Sequence, residues 1–104
     1  MESNIQKKFS DFLQAVAQRP AMYGVGRIEE IGLMARAFLT ALTDDDAEII
    51  NNLLIEFRIY VNKHFKTKAE YSWERLIRFH SGGDSHSLEL FLSLFNGFLK
   101  TSKK

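Results

Sequence analysis

The sequence predicts an all-α fold: a single-domain bundle of about five helices joined by short loops. Apolar residues recur three or four positions apart through most of the 104-residue chain, the spacing of one helix face. The breaks between these segments are short and rich in turn-forming or capping residues. Residues 1–104 are therefore predicted to form one helical domain with a modest core, and residues 101–104 a frayed polar tail.

The first two predicted helices are separated by residues 19–26, which contain the single proline of the chain. Pro20 lacks an N–H group and fixes its own φ, so it should end the first helix near residue 18. Because Met22 and Tyr23 are large and largely apolar, we expect them to fill the core beneath this connection. The segment is thus predicted to be an architectural hinge.

The second and third helices are predicted over residues 28–42 and 46–65. Gly32, inside the second helix, is expected to let another backbone approach closely. Asp45 followed by Glu48 resembles a capping box at the start of the third helix. That helix has the widest apolar face in the chain and should therefore contact several others.

The last third of the chain predicts two more helices. Residues 70–80 favour a helix, although their aromatic residues also fit a short strand. Residues 81–85 are a glycine-rich loop, and the last helix is predicted from residue 85 or 86 to residue 99.

Composition limits the classes of function. The formal net charge is +1, which does not favour nucleic acid or an acidic membrane surface. The chain has no cysteine, which excludes disulfides and thiolate chemistry. Because the sequence has no signal-like segment and no long apolar run, we expect a cytoplasmic protein. We also expect that it needs no cofactor.

Several residues invite a catalytic interpretation. His80 and His86 flank the glycine-rich loop with Asp84 between them, so a metal site is conceivable, although a helix-end and a loop histidine are the favoured interpretation. Arg75 and His80 resemble the Rx4–6H motif of HEPN-type helical ribonucleases, which implies a histidine that moves a proton beside an arginine that stabilises phosphate. The motif is short, and Leu76 follows the arginine where that family commonly has a polar residue. A surface arginine and a capping histidine are therefore the favoured interpretation.

Charge forms two patches. A basic one at the end of the third helix is better explained as a solvated helix end than as a nucleic-acid surface. The acidic patch begins the third helix, where one or two carboxylates would suffice for capping. The surplus negative charge suits a basic protein partner. The residues predicted to contact that partner are Asp44, Asp45, Asp46 and Glu48, with Glu29 and Glu30 on the second helix.

The segment RPAMYG at residues 19–24 is similar to an RPxMYxG signature of small helical bacterial proteins, from which this sequence departs at Val25 and Gly26. Phe57, the WERLI segment at residues 73–77 and the LFLSLF segment at residues 90–95 also match the layout of that group. These proteins resemble immunity proteins of polymorphic toxin systems, including contact-dependent growth inhibition.

The resemblance implies a non-enzymatic protein that binds and neutralises a cognate toxin domain, often a nuclease. Its partner would be that protein rather than nucleic acid or membrane, and the chain itself would be a monomer or a weak homodimer. Two alternatives stay open. One is a HEPN-like ribonuclease that uses Arg75 and His80, and the other is a helical module that dimerises through its many aromatic residues.

Overall fold

The structure, a computed structural model, describes residues 4–67 and 71–102 and contains five α-helices and no strand within them. The prediction of an all-α bundle is therefore confirmed. The helices are α1 (Asn4–Gln18), α2 (Ile28–Thr40), α3 (Asp44–His64), α4 (Trp73–Phe79) and α5 (Asp84–Ser102). A 3-10 turn, Pro20–Tyr23, joins α1 to α2.

The connection between α1 and α2 differs from the prediction in what it buries. Helix α1 ends before Pro20, as predicted, and Gly24 adopts a left-handed conformation with φ 69°. However, Met22 is 72% exposed and Tyr23 is 41% exposed, so the prediction that they fill the core is wrong. Val25 is the buried residue, and its N–H donates to the Pro20 carbonyl at 2.9 Å. The side chains of the turn therefore point towards solvent, and Val25, which follows the turn, packs into the core.

Helices α2 and α3 are both capped at their N-termini, and the cap of α3 is not the predicted one. The Glu30 carboxylate accepts hydrogen bonds from the N–H groups of Gly26 and Arg27, which caps α2. Helix α3 is capped by Thr43, whose Oγ1 accepts from the Asp46 N–H at 3.2 Å. The predicted capping role of Asp45 is wrong because Asp45 already lies within the first helical turn.

The end of the chain is more helical than predicted. Ser72 caps α4 by accepting from the Arg75 N–H at 3.2 Å, and the helical interpretation of this region is confirmed. Helix α5 starts at Asp84 and continues to Ser102, three residues past the predicted end at residue 99. Lys103 and Lys104, part of the predicted frayed tail, lie outside the described residues.

The core is built largely from aromatic rings. Phe57 of α3 contacts Trp73 of α4 and three rings of α5, Phe91, Phe95 and Phe98, with ring centroids 5.3–5.8 Å apart. At the other end of the bundle, Phe38 of α2 packs on two phenylalanines of α1. Helix α3 contacts each of the other four helices, as its wide apolar face predicts. Most of the aromatic side chains are thus buried or partly buried in the core.

Candidate functional site

The predicted acidic contact residues at the start of α3 form an exposed edge. Asp44, Asp45 and Glu48 are exposed, and Asp46 is half-buried. Within the described residues, none of these four carboxylates is within 4.0 Å of a basic nitrogen. Asp46 lines a small depression together with Lys8 of α1, and the positive end of α3 also opposes this negative charge. We call these four residues the acidic edge.

The two predicted contact residues on α2 have partners inside the fold. Arg78 of α4 makes a two-pronged contact with Glu29, with Nη2 to Oε1 at 2.8 Å and Nε to Oε2 at 3.1 Å. This hydrogen-bonded pair lowers the pKa of Glu29 and raises that of Arg78. Arg78 also binds the carboxylate of Asp84 at 2.7 Å. Glu30 is half-buried and caps its own helix, so it is not the exposed residue that was predicted.

The two acidic groups are also far apart. Glu29 and Glu30 belong to the first turn of α2, whereas the acidic edge follows the last turn of α2. With 13 residues, α2 is about 20 Å long. The structure therefore does not bring all six predicted residues onto one surface.

A second surface feature lies along α4. It is an open groove of about 320 Å³ that we call the α4 groove. Buried Leu76 forms its floor, while Phe79, 79% exposed, and Tyr71, 43% exposed, stand beside it. The full lining is Thr67, Tyr71, Arg75, Leu76, Phe79 and His80.

The wall of the α4 groove is fixed by Asn62 of α3. Its side-chain amide donates to the carbonyls of Arg58 and Tyr71, at 2.9 and 3.0 Å. Its Oδ1 accepts from the Thr67 hydroxyl at 2.6 Å and from the Tyr71 N–H at 3.3 Å. These four bonds use every donor and acceptor position of an asparagine side chain. Thr67 and Tyr71, which both line the groove, are thereby held to the end of α3.

A stack of rings supports the opposite side. The imidazole of His80 lies flat on the ring of Phe65, with centroids 3.9 Å apart and planes 8° apart. Its Nδ1 is 2.9 Å from the Leu76 carbonyl oxygen, a distance that suits an N–H on that nitrogen. Nε2 is then the ring nitrogen left for a ligand. The groove therefore contains an oriented imidazole rather than a loosely held one.

Arg75 is the unpaired arginine of α4. Arg78, one turn further on, binds Glu29 and Asp84, and Arg36 of α2 binds Glu74 at 3.0 Å. Within the described residues, the guanidinium of Arg75 has no hydrogen bond or ion pair. It borders both the α4 groove and a charged depression of about 470 Å³ formed with these neighbours.

The metal site considered for His80, His86 and Asp84 is not assembled within the described residues. The carboxylate of Asp84 goes to Arg78, and Nδ1 of His86 accepts the N–H of Gly82 at 2.8 Å. Over residues 4–67 and 71–102, no group of three or more His, Asp or Glu side chains is placed to hold a metal ion. In contrast, Arg75 and His80 do line one groove.

Comparison of the chain with protein-family models, with curated proteins and with solved structures finds no match. The likeness to small helical immunity proteins thus rests on residues 19–24 and on the order of the later motifs. Of the helices in the described part of the chain, none has both the length and the apolar character needed to cross a membrane.

Sequence reasoning missed Asn62 and the pairing state of the arginines. Helix period gave no signal for Asn62, because Arg58 and Ile59, its neighbours one turn back, are half-buried and exposed. No signal separated Arg75 from Arg78, because the two partners of Arg78 come from α2 and α5. Ion pairs between distant segments need the tertiary arrangement.

Proposed function

We propose that this chain is a cytoplasmic immunity protein that binds and neutralises a toxin domain, without chemistry of its own. The observation that carries the proposal is the acidic edge. Three exposed carboxylates, Asp44, Asp45 and Glu48, stand together with no basic partner in the described structure. The resemblance in residues 19–24 supports the same class of protein.

The partner that suits the acidic edge is a toxin with a basic surface, such as a nuclease that binds phosphates. Negative charge opposite that surface would speed association and disfavour partners of the wrong charge. Covering the basic surface would keep the substrate out, so neutralisation follows from occupancy alone. Glu29 and Glu30 contribute less to this contact because Arg78 and the α2 cap already engage them.

Co-expression with the toxin domain encoded beside this chain tests the proposal. Cells carrying both proteins should grow, and the two proteins should copurify. Asp44→Asn/Asp45→Asn/Glu48→Gln should lower the association rate at least about tenfold at low salt, and less at high salt. Glu56→Gln/Glu89→Gln removes two exposed carboxylates elsewhere and should leave the rate unchanged. Death of the co-expressing cells, or equal rates for both variants, would refute the proposal.

A HEPN-like ribonuclease is the second candidate, favoured by the shared position of Arg75 and His80 in the α4 groove. In that function His80 would move a proton through Nε2 while Arg75 stabilises phosphate charge. Purified protein should then cleave RNA, and overexpression should slow growth. His80→Ala and Arg75→Ala should each abolish both effects. Intact RNA after incubation with the wild-type protein would exclude this candidate.

A further inference from the structure

We infer that the α4 groove is a second docking site, for an extended segment of a partner protein in which an acidic side chain neighbours a large apolar one. The apolar side chain would lie on Leu76 between Tyr71 and Phe79, and the carboxylate would meet Arg75. This surface is separate from the acidic edge, so the inference does not depend on the toxin-binding proposal.

The shape of the groove fits one large apolar side chain. Its floor is the buried Leu76 and its sides are aromatic, with Phe79 four-fifths exposed. Removing such an exposed ring from water would contribute favourable binding free energy when a partner covers it. Tyrosine and arginine, both present here, are enriched among the residues that dominate binding energy at protein interfaces.

The positive charge of Arg75 favours a carboxylate next to the apolar side chain of the partner. Arg75 carries the positive charge in the lining that no carboxylate of the described residues neutralises. A guanidinium offers a planar fork of N–H groups that matches a carboxylate with two parallel hydrogen bonds. A segment with a carboxylate next to its apolar side chain therefore matches both features.

A polypeptide fits better than a nucleic acid. A nucleic-acid strand needs several unneutralised cations along its path, because each phosphate contact contributes separately. Next to the groove, the cations of Arg36 and Arg78 are already taken by carboxylates. Glu29 and Glu74 line the adjoining depression together with these arginines, so Arg75 is the one cation of that lining without a paired carboxylate among the described residues. A single carboxylate needs Arg75 alone.

The site is ordered before any partner arrives. Asn62 holds Thr67 and Tyr71 with three hydrogen bonds, and the His80 ring is stacked on Phe65. Fixed walls reduce the conformational entropy that binding must remove. This favours recognition of a short segment, for which such costs weigh most.

Blocked tetrapeptides test the inference. We would titrate the full chain with acetyl-Gly-Phe-Asp-Gly-amide, with its Phe-Asn counterpart and with octauridylate RNA, following backbone and side-chain NMR signals. The Asp peptide should shift the signals of Tyr71, Arg75 and Phe79. The Asn peptide should bind about fivefold to tenfold more weakly, because it lacks the charged partner of the guanidinium.

Variants locate the contacts. Arg75→Gln should remove the preference for the Asp peptide, and Phe79→Ser should weaken both peptides. Arg19→Gln, an exposed arginine outside the groove, should change neither. Both groove side chains are exposed, so the variants should keep the fold, which thermal unfolding checks.

Four results would overturn the inference. They are the absence of binding, equal binding of the two peptides, tighter binding of the RNA at the same residues, and a concentration-dependent dimer that Arg75→Gln dissociates. The last would assign the groove to a second copy of the chain.

Discussion

Asn62 is a buried amide that connects the end of α3 to the chain leading into α4. Its four hydrogen bonds reach the backbone of Arg58 and Tyr71 and the hydroxyl of Thr67. A polar group buried this deeply stabilises the fold only when its partners are all present, because the alternative is unpaired polar atoms. Asn62 therefore fixes the local backbone as well as contributing to stability.

Replacing Asn62 with alanine should cost about 2–3 kcal/mol of unfolding free energy, because several buried polar groups lose their partners at once. The control is Asn52→Ala, an exposed asparagine on the same helix, which should change stability by less than about 0.5 kcal/mol. Urea unfolding followed by circular dichroism measures both. Equal losses for the two variants would show that the hydrogen bonds of Asn62 carry little net energy.

The sequence predicted correctly which side chains are buried in α1, because the helix period decides their direction. It did not predict which side chains are buried at the turn after α1. Phe9, Leu13 and Val16 lie on the predicted face of α1 and are fully buried. Met22 and Tyr23 were expected inside because of their size, but the 3-10 turn faces them outward. Side-chain directions in a four-residue turn depend on its backbone geometry, which residue size does not reveal.

At the scale of helices, α2 and α4 are in close contact at Gly32. The carboxylate of Glu74 lies directly against this glycine, where a Cβ atom would overlap it, and pairs with Arg36. A close approach at Gly32 was predicted, but the neighbour is a side chain rather than a backbone. The missing Cβ thus admits the ion pair between the two helices.

Gly32→Ala should therefore have a stability effect that depends on Glu74. Alanine favours the helix by about 1 kcal/mol over glycine, but in the wild-type chain this gain is offset by displacement of the carboxylate. In a Glu74→Ala background the full gain should appear. A double-mutant cycle measured by urea unfolding gives the coupling, expected at about 1 kcal/mol. Additive effects would mean that Glu74 moves aside without cost.

The contact between Glu29 and Arg78, which also links α2 to α4, should make stability depend on pH. Because the pKa of Glu29 is lowered from 4.5 in the folded state, the pair stabilises the fold above pH 4.5 and is lost as the pH falls through the lowered value. Glu29→Gln should cost less than about 1 kcal/mol at pH 7, since the side chain is 53% exposed. The cost should shrink towards zero in acid.

Unfolding of wild-type protein and Glu29→Gln at pH 7 and at several values below 4.5 measures this dependence. Glu89→Gln is the matched control, because Glu89 is exposed and unpaired in the described structure, and its effect on the free energy of unfolding should be small. A pH-independent cost for Glu29→Gln would mean that the charge of Glu29 is not what stabilises the fold.

At the scale of the whole molecule, Phe57 joins three helices into one aromatic core. Phe57→Ala should cost about 3–5 kcal/mol, a large share of the roughly 5–15 kcal/mol typical of small domains. Tyr23→Ala, which truncates a ring that is 41% exposed, should cost less than about 2 kcal/mol. Midpoints of urea unfolding compare the two.

Phe57→Leu should lose less than Phe57→Ala, which keeps the comparison measurable if the alanine variant fails to fold. Similar losses for Tyr23→Ala and Phe57→Ala would contradict the central place of Phe57 in the core.

The sequence predicted the five-helix architecture because amphipathic period and breaks are local properties. It predicted the acidic edge because those residues are neighbours in the chain. It did not predict that Glu29 is neutralised or that the α4 groove exists. Both depend on where α4 packs against α2 and α3, which is a property of the folded chain.

The single tryptophan of this chain is Trp73, the first residue of α4. It is buried against Phe57 and Phe91, while Arg75 and Phe79 on the same short helix border the α4 groove. The protein therefore carries one indole fluorophore beside its three tyrosines, and it lies on the helix that joins the core to the groove. Because the indole is buried, its emission should report unfolding of the core in unlabelled protein.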